Sequence, residues 1–148
     1  MRIAFDSNIL AYLAGVDRGA GDSDKIFAAR ALLADLAGRA TLIAPIQALG
    51  ELFVVLLRAG AEREAARAIL LRLRGTFSEV DTSDRTFLSA LDLVVAHKLQ
   101  FWDALILSAA ADAGCTMLLS EDMQNGFVWR GVSVVNPLTT PIAFKPGG

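Results

Sequence analysis

Short apolar segments alternate with longer helical patterns along the chain, and this alternation constrains the fold more than any other feature. The first apolar segment, residues 2–5, runs directly into a short helical pattern over residues 7–14. Later apolar segments lie at Thr41–Ile43, Phe77–Val80, Thr116–Leu119 and Val132–Val135. Apolar strands joined by helices pair in parallel and are covered on both faces. The pattern predicts a three-layer α/β/α domain with a short, mostly parallel central sheet.

Capping and helix-breaking residues set the limits of the predicted helices. Ser23 can cap a helix that ends at Gly38, and Pro45 suits the first position of a helix that runs to about Arg58. Further helices are predicted over residues 62–74, from Thr82 or Ser83 to about Lys98, and over residues 102–113, with a turn or short helix over residues 121–126. Each predicted helix separates two apolar segments or joins the next helix through a glycine, as an α/β domain requires.

Length and composition limit the class of protein. The chain has 148 residues, which suits one domain with a sizeable core, predicted over residues 1–137 with an extended tail over residues 138–148. Although 54% of the residues are hydrophobic, no apolar run reaches the roughly 18–20 residues that span a bilayer. We expect no signal peptide and no membrane partner. The single cysteine, Cys115, fits a reducing cytoplasm and is predicted to be a small core residue.

The charge balance bears on possible ligands. The formal net charge is −2, which argues mildly against non-specific nucleic-acid binding, because such binding depends on basic patches that neutralise phosphates. That objection weakens if cations bound at an acidic site are part of the functional protein.

Two acidic residues follow predicted strands. Asp6 comes directly after the first strand, and Asp122 follows Leu118 and Leu119 with Ser120 between them. Functional groups of open α/β sheets gather beyond the carboxyl ends of the strands, so both acids are candidates for one site. Ser120 could orient a carboxylate or a water molecule there. The alternative is that each acid only caps a helix or closes a turn, a role that aspartate fills well.

Two further acids lie on predicted helices. Asp103 is in the first turn of its helix, among apolar neighbours, where a carboxylate needs a partner. The helix dipole alone would stabilise it by about 0.3–1 kcal/mol, which is the structural alternative. Glu51 lies in the middle of an otherwise apolar helix. Its alternative is a position at the edge of the apolar face, paired with an arginine such as Arg58.

Taken together, the four acids indicate a site for a hard divalent cation. Clustered carboxylates repel each other and raise each other's pKa unless cations keep them ionised. Mg²⁺ is typically held by one or two carboxylates, waters and substrate phosphates. A zinc site of histidine and cysteine is not supported, because the chain contains only His97 and Cys115. A small-molecule phosphatase with an aspartyl nucleophile is disfavoured, since Asp6 lacks a second aspartate two residues on.

The order of these residues resembles a known family. Asp6-Ser7-Asn8 after the first strand, Glu51 in a helix, Phe-Trp-Asp103-Ala-Leu-Ile and Leu-Leu-Ser-Glu-Asp122 together resemble PIN-domain ribonucleases, most closely the VapC-like toxins of bacterial type II toxin–antitoxin pairs. The resemblance covers nearly the whole chain, and Ser7 stands where threonine is commoner. It implies Mg²⁺- or Mn²⁺-dependent hydrolysis of RNA. The catalytic and metal-binding residues would be Asp6, Glu51, Asp103 and Asp122, supported by Asn8 and Ser120.

The resemblance also implies partners. We expect an RNA substrate, a homodimer and a cognate antitoxin that covers the acidic pocket and the helices near residues 7–14, 23–37 and 47–73. An arginine of that antitoxin could reach the carboxylates and displace the metal. The alternative function is a catalytically degenerate module that mainly binds another protein. The two differ in a testable way, since the enzyme requires the four carboxylates to converge on one pocket.

Overall fold

The computed structural model describes residues 1–19 and 21–143, which form helices packed around one six-stranded sheet. In chain order the elements are β1 (Arg2–Phe5), α1 (Ser7–Leu13), α2 (Asp22–Leu36), β2 (Thr41–Pro45), α3 (Ile46–Arg58), α4 (Arg63–Leu73), β3 (Ser78–Val80), α5 (Asp84–His97), α6 (Phe101–Asp112), β4 (Met117–Leu119), β5 (Val128–Trp129) and β6 (Val132–Val135). The three-layer α/β/α architecture predicted from the alternation is confirmed. None of the described helices is both long and apolar enough to cross a membrane.

The sheet places the ends of β1 and β4 next to each other. The strand order is β3-β2-β1-β4-β6-β5, and all neighbouring pairs are parallel except β5 with β6. Phe5, the last residue of β1, is in register with Leu119, the last residue of β4. The chain segments that leave these two strands therefore start side by side at one edge of the sheet.

The short strand β5 is a feature that the sequence pattern did not predict. Val128 and Trp129 pair antiparallel with β6 through a tight turn in which Arg130 and Gly131 have φ angles of 48° and 79°. Two successive positive φ angles are typical of a two-residue hairpin, but Arg-Gly is a weak signal because a non-glycine residue rarely adopts them.

The central strands and α6 form the middle of the core. Ile3, Ala4 and Phe5 of β1 and Leu118 and Leu119 of β4 are fully buried. Cys115 is buried as predicted, and this burial raises the pKa of its thiol to about 11, so the thiol stays protonated.

Several predicted boundaries and caps need correction. Gly21, not Ser23, is the N-cap of α2, and Pro45 ends β2 and caps α3 instead of occupying its first turn. Ser83 caps α5 as one of the two predicted candidates, accepting a hydrogen bond from the Thr86 N–H at 3.1 Å. Residues 121–126 form bends and a turn without a helix. Residues 144–148 of the predicted tail lie outside the described residues.

Candidate active site

Asp6 lies where β1 passes into α1 and is buried. Its backbone N–H continues the strand ladder by bonding to the Leu119 carbonyl at 2.9 Å, and its own carbonyl accepts the first α1 hydrogen bond from Leu10. Its Oδ1 accepts a hydrogen bond from the Ser7 N–H at 2.7 Å. Asp6 is therefore the N-cap of α1. Asp6 can cap α1 and also belong to a functional site, because its other carboxylate oxygen, Oδ2, contacts different residues.

Ser120 and Asn8 hold the other oxygen of Asp6. The Ser120 hydroxyl donates to Asp6 Oδ2 at 2.7 Å, and Asn8 Nδ2 approaches the same oxygen at 3.4 Å. Asn8 Oδ1 in turn accepts from the Glu121 N–H at 3.1 Å. Both predicted supporting residues thus contact Asp6 or the segment after β4, and they connect the ends of the two central strands.

Burial makes the Asp6 carboxylate costly to ionise. Desolvation is the main reason that the pKa of Asp6 rises to about 6, and the negative charges of Asp103 and Glu51 raise it further. The hydrogen bonds from Ser120 and Ser7 act in the opposite direction but do not offset the burial. A nearby cation would stabilise the ionised form of this carboxylate, which is buried and lies close to other negative charges.

Glu51 reaches the same edge from α3. Its Oε2 accepts a hydrogen bond from the Ser7 hydroxyl at 2.8 Å, and the side chain is half-buried. The alternative in which Glu51 pairs with Arg58 is wrong for the described residues, since no ion pair joins them. Ser7 therefore contributes to the candidate site, although the sequence pointed to it only through its neighbours Asp6 and Asn8.

Asp103 and Asp122 complete the acidic group. Asp103 lies in the first turn of α6 and is half-buried, and Asp122 is exposed in the segment after β4. Burial raises the pKa of Asp103, and the charges of Glu51 and Asp122 raise it further. The four predicted acids are therefore close enough to interact electrostatically. The charge of Asp103 raises the pKa of Asp6, and the charges of Glu51 and Asp122 raise the pKa of Asp103.

The donor set fits a hydrated hard cation better than a fully protein-bound one. Among the described residues, no three histidine, cysteine, aspartate or glutamate side chains are arranged to hold one metal ion directly. Mg²⁺ commonly keeps several waters and takes only one or two carboxylates, so this spacing is compatible with it. All four acids supply the oxygen ligands that such an ion prefers, and no lysine or arginine in the described part of the chain forms an ion pair with Asp6.

A second cluster beside the acids was not predicted. Glu121 accepts a hydrogen bond from the Tyr12 hydroxyl at 2.6 Å and pairs with Lys25 at 2.8 Å. Although burial opposes the change, the hydrogen bonds from Lys25 and Tyr12 lower the pKa of Glu121. The sequence gives no local signal for this cluster, because its members come from α1, α2 and the segment after β4 and meet only in the folded chain.

A cleft of about 390 Å³ opens next to the acids, between α3 and the start of α6. Its lining combines polar and apolar side chains: Ser7, Gln47, Gly50, Glu51, Val54, Val55, Arg58 and Trp102. The Trp102 side chain is 50% exposed although it immediately precedes Asp103. His97, which a serine-type triad would need, instead packs edge-on against Phe127 at the end of α5, with ring centroids 5.3 Å apart.

Comparisons with known proteins agree with this architecture. A family model described as PIN domain matches residues 3–124, which is most of the chain. No curated protein matches the sequence significantly.

Solved structures resemble the fold at low sequence identity. A Mycobacterium tuberculosis structure, the sarcin–ricin loop cleaving toxin VapC20, has 23% identity and a TM-score of 0.66, with 81% of this chain and 89% of that chain covered. VapBC2 from Rickettsia felis, bound to a promoter DNA fragment, has 17% identity and a TM-score of 0.65, covering 82% and 89%. A toxin–antitoxin complex from Klebsiella pneumoniae has 21% identity and a TM-score of 0.62, covering 88% and 94%. At these identities the similarity shows a shared fold.

Proposed function

Because the chain belongs to the PIN-domain family, we propose that it is a metal-dependent endoribonuclease and the toxin of a type II toxin–antitoxin pair. The observation that carries the proposal is the electrostatic coupling of Asp6, Glu51 and Asp103 at the carboxyl edge of the sheet, where the segment with Asp122 also begins. The toxin relatives described above support the biological role. Since RNA is the substrate, the proposed location is the cytoplasm.

In this proposal each side chain has a separate task. Asp6, held by Ser120 and the Ser7 N–H, presents a fixed carboxylate, and Asp103 and Asp122 would hold Mg²⁺ or Mn²⁺ together with it. The ion, when bound, would polarise a phosphoryl oxygen and lower the pKa of a water molecule. Glu51, held by Ser7, would bind the ion or orient the attacking water. Asn8 keeps the segment after β4 at the correct distance from Asp6.

The competing proposal is a degenerate module that binds protein and performs no chemistry. It would require the acids to serve only as caps and surface charges. Asp6 does cap α1, but a cap alone does not need a buried carboxylate that interacts with Asp103 and Glu51. The convergence of these charges therefore favours the enzyme.

The test is cleavage of a labelled structured RNA by the purified chain. We expect cleavage with Mg²⁺ or Mn²⁺, none after addition of a chelator, and recovery when the metal is restored in excess. Asp103→Asn should abolish most of the activity, whereas the matched control Asp81→Asn, an exposed aspartate between β3 and α5, should cleave normally. Equal cleavage by wild type and Asp103→Asn, or cleavage that persists in chelator, contradicts the proposal.

An antitoxin partner is proposed for the surface formed by α3 and α4. A groove of about 420 Å³ lies between these helices, lined by Ile46, Leu49, Phe53 and Leu70, with an Arg74–Glu79 ion pair at its end. Apolar grooves of this kind accept amphipathic segments of other proteins. Co-expression with the product of the adjacent gene should yield a complex with suppressed RNA cleavage. A complex that cleaves as fast as the free chain would contradict this assignment.

The homodimer is proposed to form through α5. Phe87, Leu88, Leu91 and Val95 lie on one side of this helix and are 42%, 53%, 41% and 83% exposed. If two copies of α5 pack antiparallel with Leu91 on the two-fold axis, Phe87 faces Val95 of the second copy. The same operation brings Asp84, at the start of α5, near Lys98, the residue that caps its end, so that opposite charges meet at both ends of the proposed interface.

Leu91→Lys is therefore expected to convert the dimer into a monomer. The substitution places two lysine charges against each other on the axis and removes the central apolar contact. Light scattering after size-exclusion chromatography would measure the change. The control is Leu71→Lys, because Leu71 is an exposed leucine on α4, 56% accessible, and lies outside the proposed interface. A monomeric wild-type chain, or a dimer that survives Leu91→Lys, would show that α5 is not the interface.

A further inference from the structure

The cleft between α3 and α6 has the composition of a nucleotide-binding subsite. Gln47, Glu51 and Arg58 succeed one another along one side of α3, and Trp102 faces them from the start of α6. The volume of about 390 Å³ is within the range of small-ligand sites. The cleft thus combines an aromatic plane, an amide and a cation next to the acidic site.

Trp102 is an exposed aromatic residue next to the candidate site. Its indole is half exposed, and its described ring contact is an edge-on one with Phe101, with centroids 4.9 Å apart. This contact covers only part of the indole, since half of Trp102 remains exposed. Exposed aromatic faces bind unpaired nucleobases by stacking, which contributes about 5- to 100-fold in affinity per base.

Arg58 supplies the charge that a phosphate requires. Within the described residues it forms no ion pair, although it lies at the end of α3 in an acidic chain. It is seven residues from Glu51 along the helix, which corresponds to about 10 Å. A phosphate at Arg58 would therefore belong to a neighbouring nucleotide and not to the phosphate that is cleaved beside Glu51.

Gly50 adds an independent observation. It lies in the middle of α3 and lines the cleft, where glycine weakens a helix relative to alanine. A Cβ at this position would meet no atom within 4 Å, and its φ is not positive, so neither packing nor backbone conformation explains the glycine. Gly50 also lines the groove between α3 and α4, so the open space above it fits a molecule that approaches α3 from either side.

We propose that this cleft binds the nucleotide next to the scissile phosphate of a single-stranded or looped RNA. Trp102 stacks on the base, and Arg58 contacts the phosphate on its far side. This inference rests on the proposed ribonuclease function and adds the part of the substrate that the acids do not recognise. An RNA occupant is favoured over a protein segment because the cleft reaches Glu51 and Ser7, and Ser7 also donates its N–H to Asp6.

The kinetic test compares Trp102→Ala with Trp102→Phe. Trp102→Ala should raise KM for a short cleavable RNA at least about fivefold with little change in kcat, whereas Trp102→Phe should stay within about twofold of wild type. Placing one abasic nucleotide beside the mapped cleavage site should weaken the wild type by a similar factor and leave Trp102→Ala unaffected. Additive losses from the abasic nucleotide and from Trp102→Ala would contradict stacking between them.

A binding test works without catalysis. The chain has two tryptophans, so Trp129→Phe leaves Trp102 as the only one. In a chelator, a single-stranded RNA oligomer should quench its fluorescence, a duplex of the same sequence should not, and Arg58→Gln should weaken the quenching and its salt dependence. No quenching by single-stranded RNA overturns the subsite. The subsite is also overturned if Trp102→Ala binds RNA as well as the wild type does but no longer binds a protein partner.

The outcomes separate the subsite from the proposed function. A wild-type chain that cleaves RNA, and does so equally well without Trp102, contradicts the subsite and leaves the ribonuclease proposal intact. A chain that binds single-stranded RNA through Trp102 but never cleaves it contradicts the ribonuclease proposal and supports the subsite.

Discussion

The Asp6→Asn variant is expected to lose RNA cleavage by at least about 100-fold and yet to melt at a higher temperature than the wild type in the presence of a chelator. The loss follows from removal of the most deeply buried carboxylate of the site. The gain follows because the wild-type carboxylate is ionised at neutral pH in a place that disfavours its charge, which raises its pKa from 3.8 to about 6. A difference of roughly two pKa units corresponds to a stability cost on the order of 2–3 kcal/mol at pH 7.5.

Asparagine can occupy this position with modest rearrangement. Its amide oxygen can accept the hydrogen bond from the Ser7 N–H as Oδ1 of Asp6 does. The Ser120 hydroxyl, which donates to Asp6 Oδ2 and accepts from the Met123 N–H, has to turn so that it also accepts from the new amide, and Asn8 Nδ2 has to turn away from it, which offsets part of the gain. The expected net effect is an increase in melting temperature of roughly 5 °C.

The gain in stability of Asp6→Asn over the wild type should increase as the pH rises. The folded state holds the Asp6 proton more tightly than the unfolded state, so this group makes the free energy of unfolding fall as pH rises from about 4 to 6. The stability advantage of Asp6→Asn should therefore be absent near pH 4 and complete above about pH 6.5. Thermal melts of both proteins in chelator between pH 4 and 8 would measure it. If the inactive variant is less stable than the wild type at pH 7.5, the environment of Asp6 does not disfavour its ionised form, and the prediction is wrong.

Leu118→Ala is expected to destabilise the fold by about 2–5 kcal/mol, which lowers the melting temperature by roughly 5–15 °C. Leu118 is fully buried in β4, between β1 and β6, and is in register with Ala4 and Val134. Truncation leaves a cavity at the centre of the sheet, because neighbouring strands on both sides restrict its collapse.

The matched control is Val128→Ala in the edge strand β5. Val128 is 61% exposed, so its truncation removes little buried surface and should cost less than about 0.5 kcal/mol. Chemical denaturation of the two variants and the wild type would give the free energies of unfolding. Equal destabilisation by the two substitutions would contradict the position of β4 at the centre of the core.

The local features predicted from the sequence are those that depend on neighbouring residues. The strands β1, β2 and β6 were predicted to within one or two residues, and so was the cap Ser83, because apolar segments and capping side chains act over a few residues. Gly21, which caps α2, and the hairpin at Arg130 were not predicted. Both positions have a positive φ, and this backbone conformation carries only a weak sequence signal outside common turn pairs.

The candidate site was also predicted only in part. Asp6 and Asp122 could be proposed from their positions after strands, and Asp103 and Glu51 only through their order along the chain. Their convergence, the bond from Ser7 to Glu51 and the contacts of Glu121 with Tyr12 and Lys25 are properties of the folded chain. The metal-binding and catalytic roles of the four acids remain predictions that the experiments above would test.

By itself the sequence determined the class of fold and the edge of the sheet beyond which Asp6 and Asp122 lie, because strand and helix periodicity and the direction of parallel strands are properties of short segments. Only the tertiary structure decided that Asp6 is buried, caps α1 and is costly to ionise, since burial depends on packing between distant segments, and the partner of its Oδ2, Ser120, lies more than a hundred positions along the chain. It alone also placed Trp102 opposite Arg58, because that pairing requires α6 to pack beside α3.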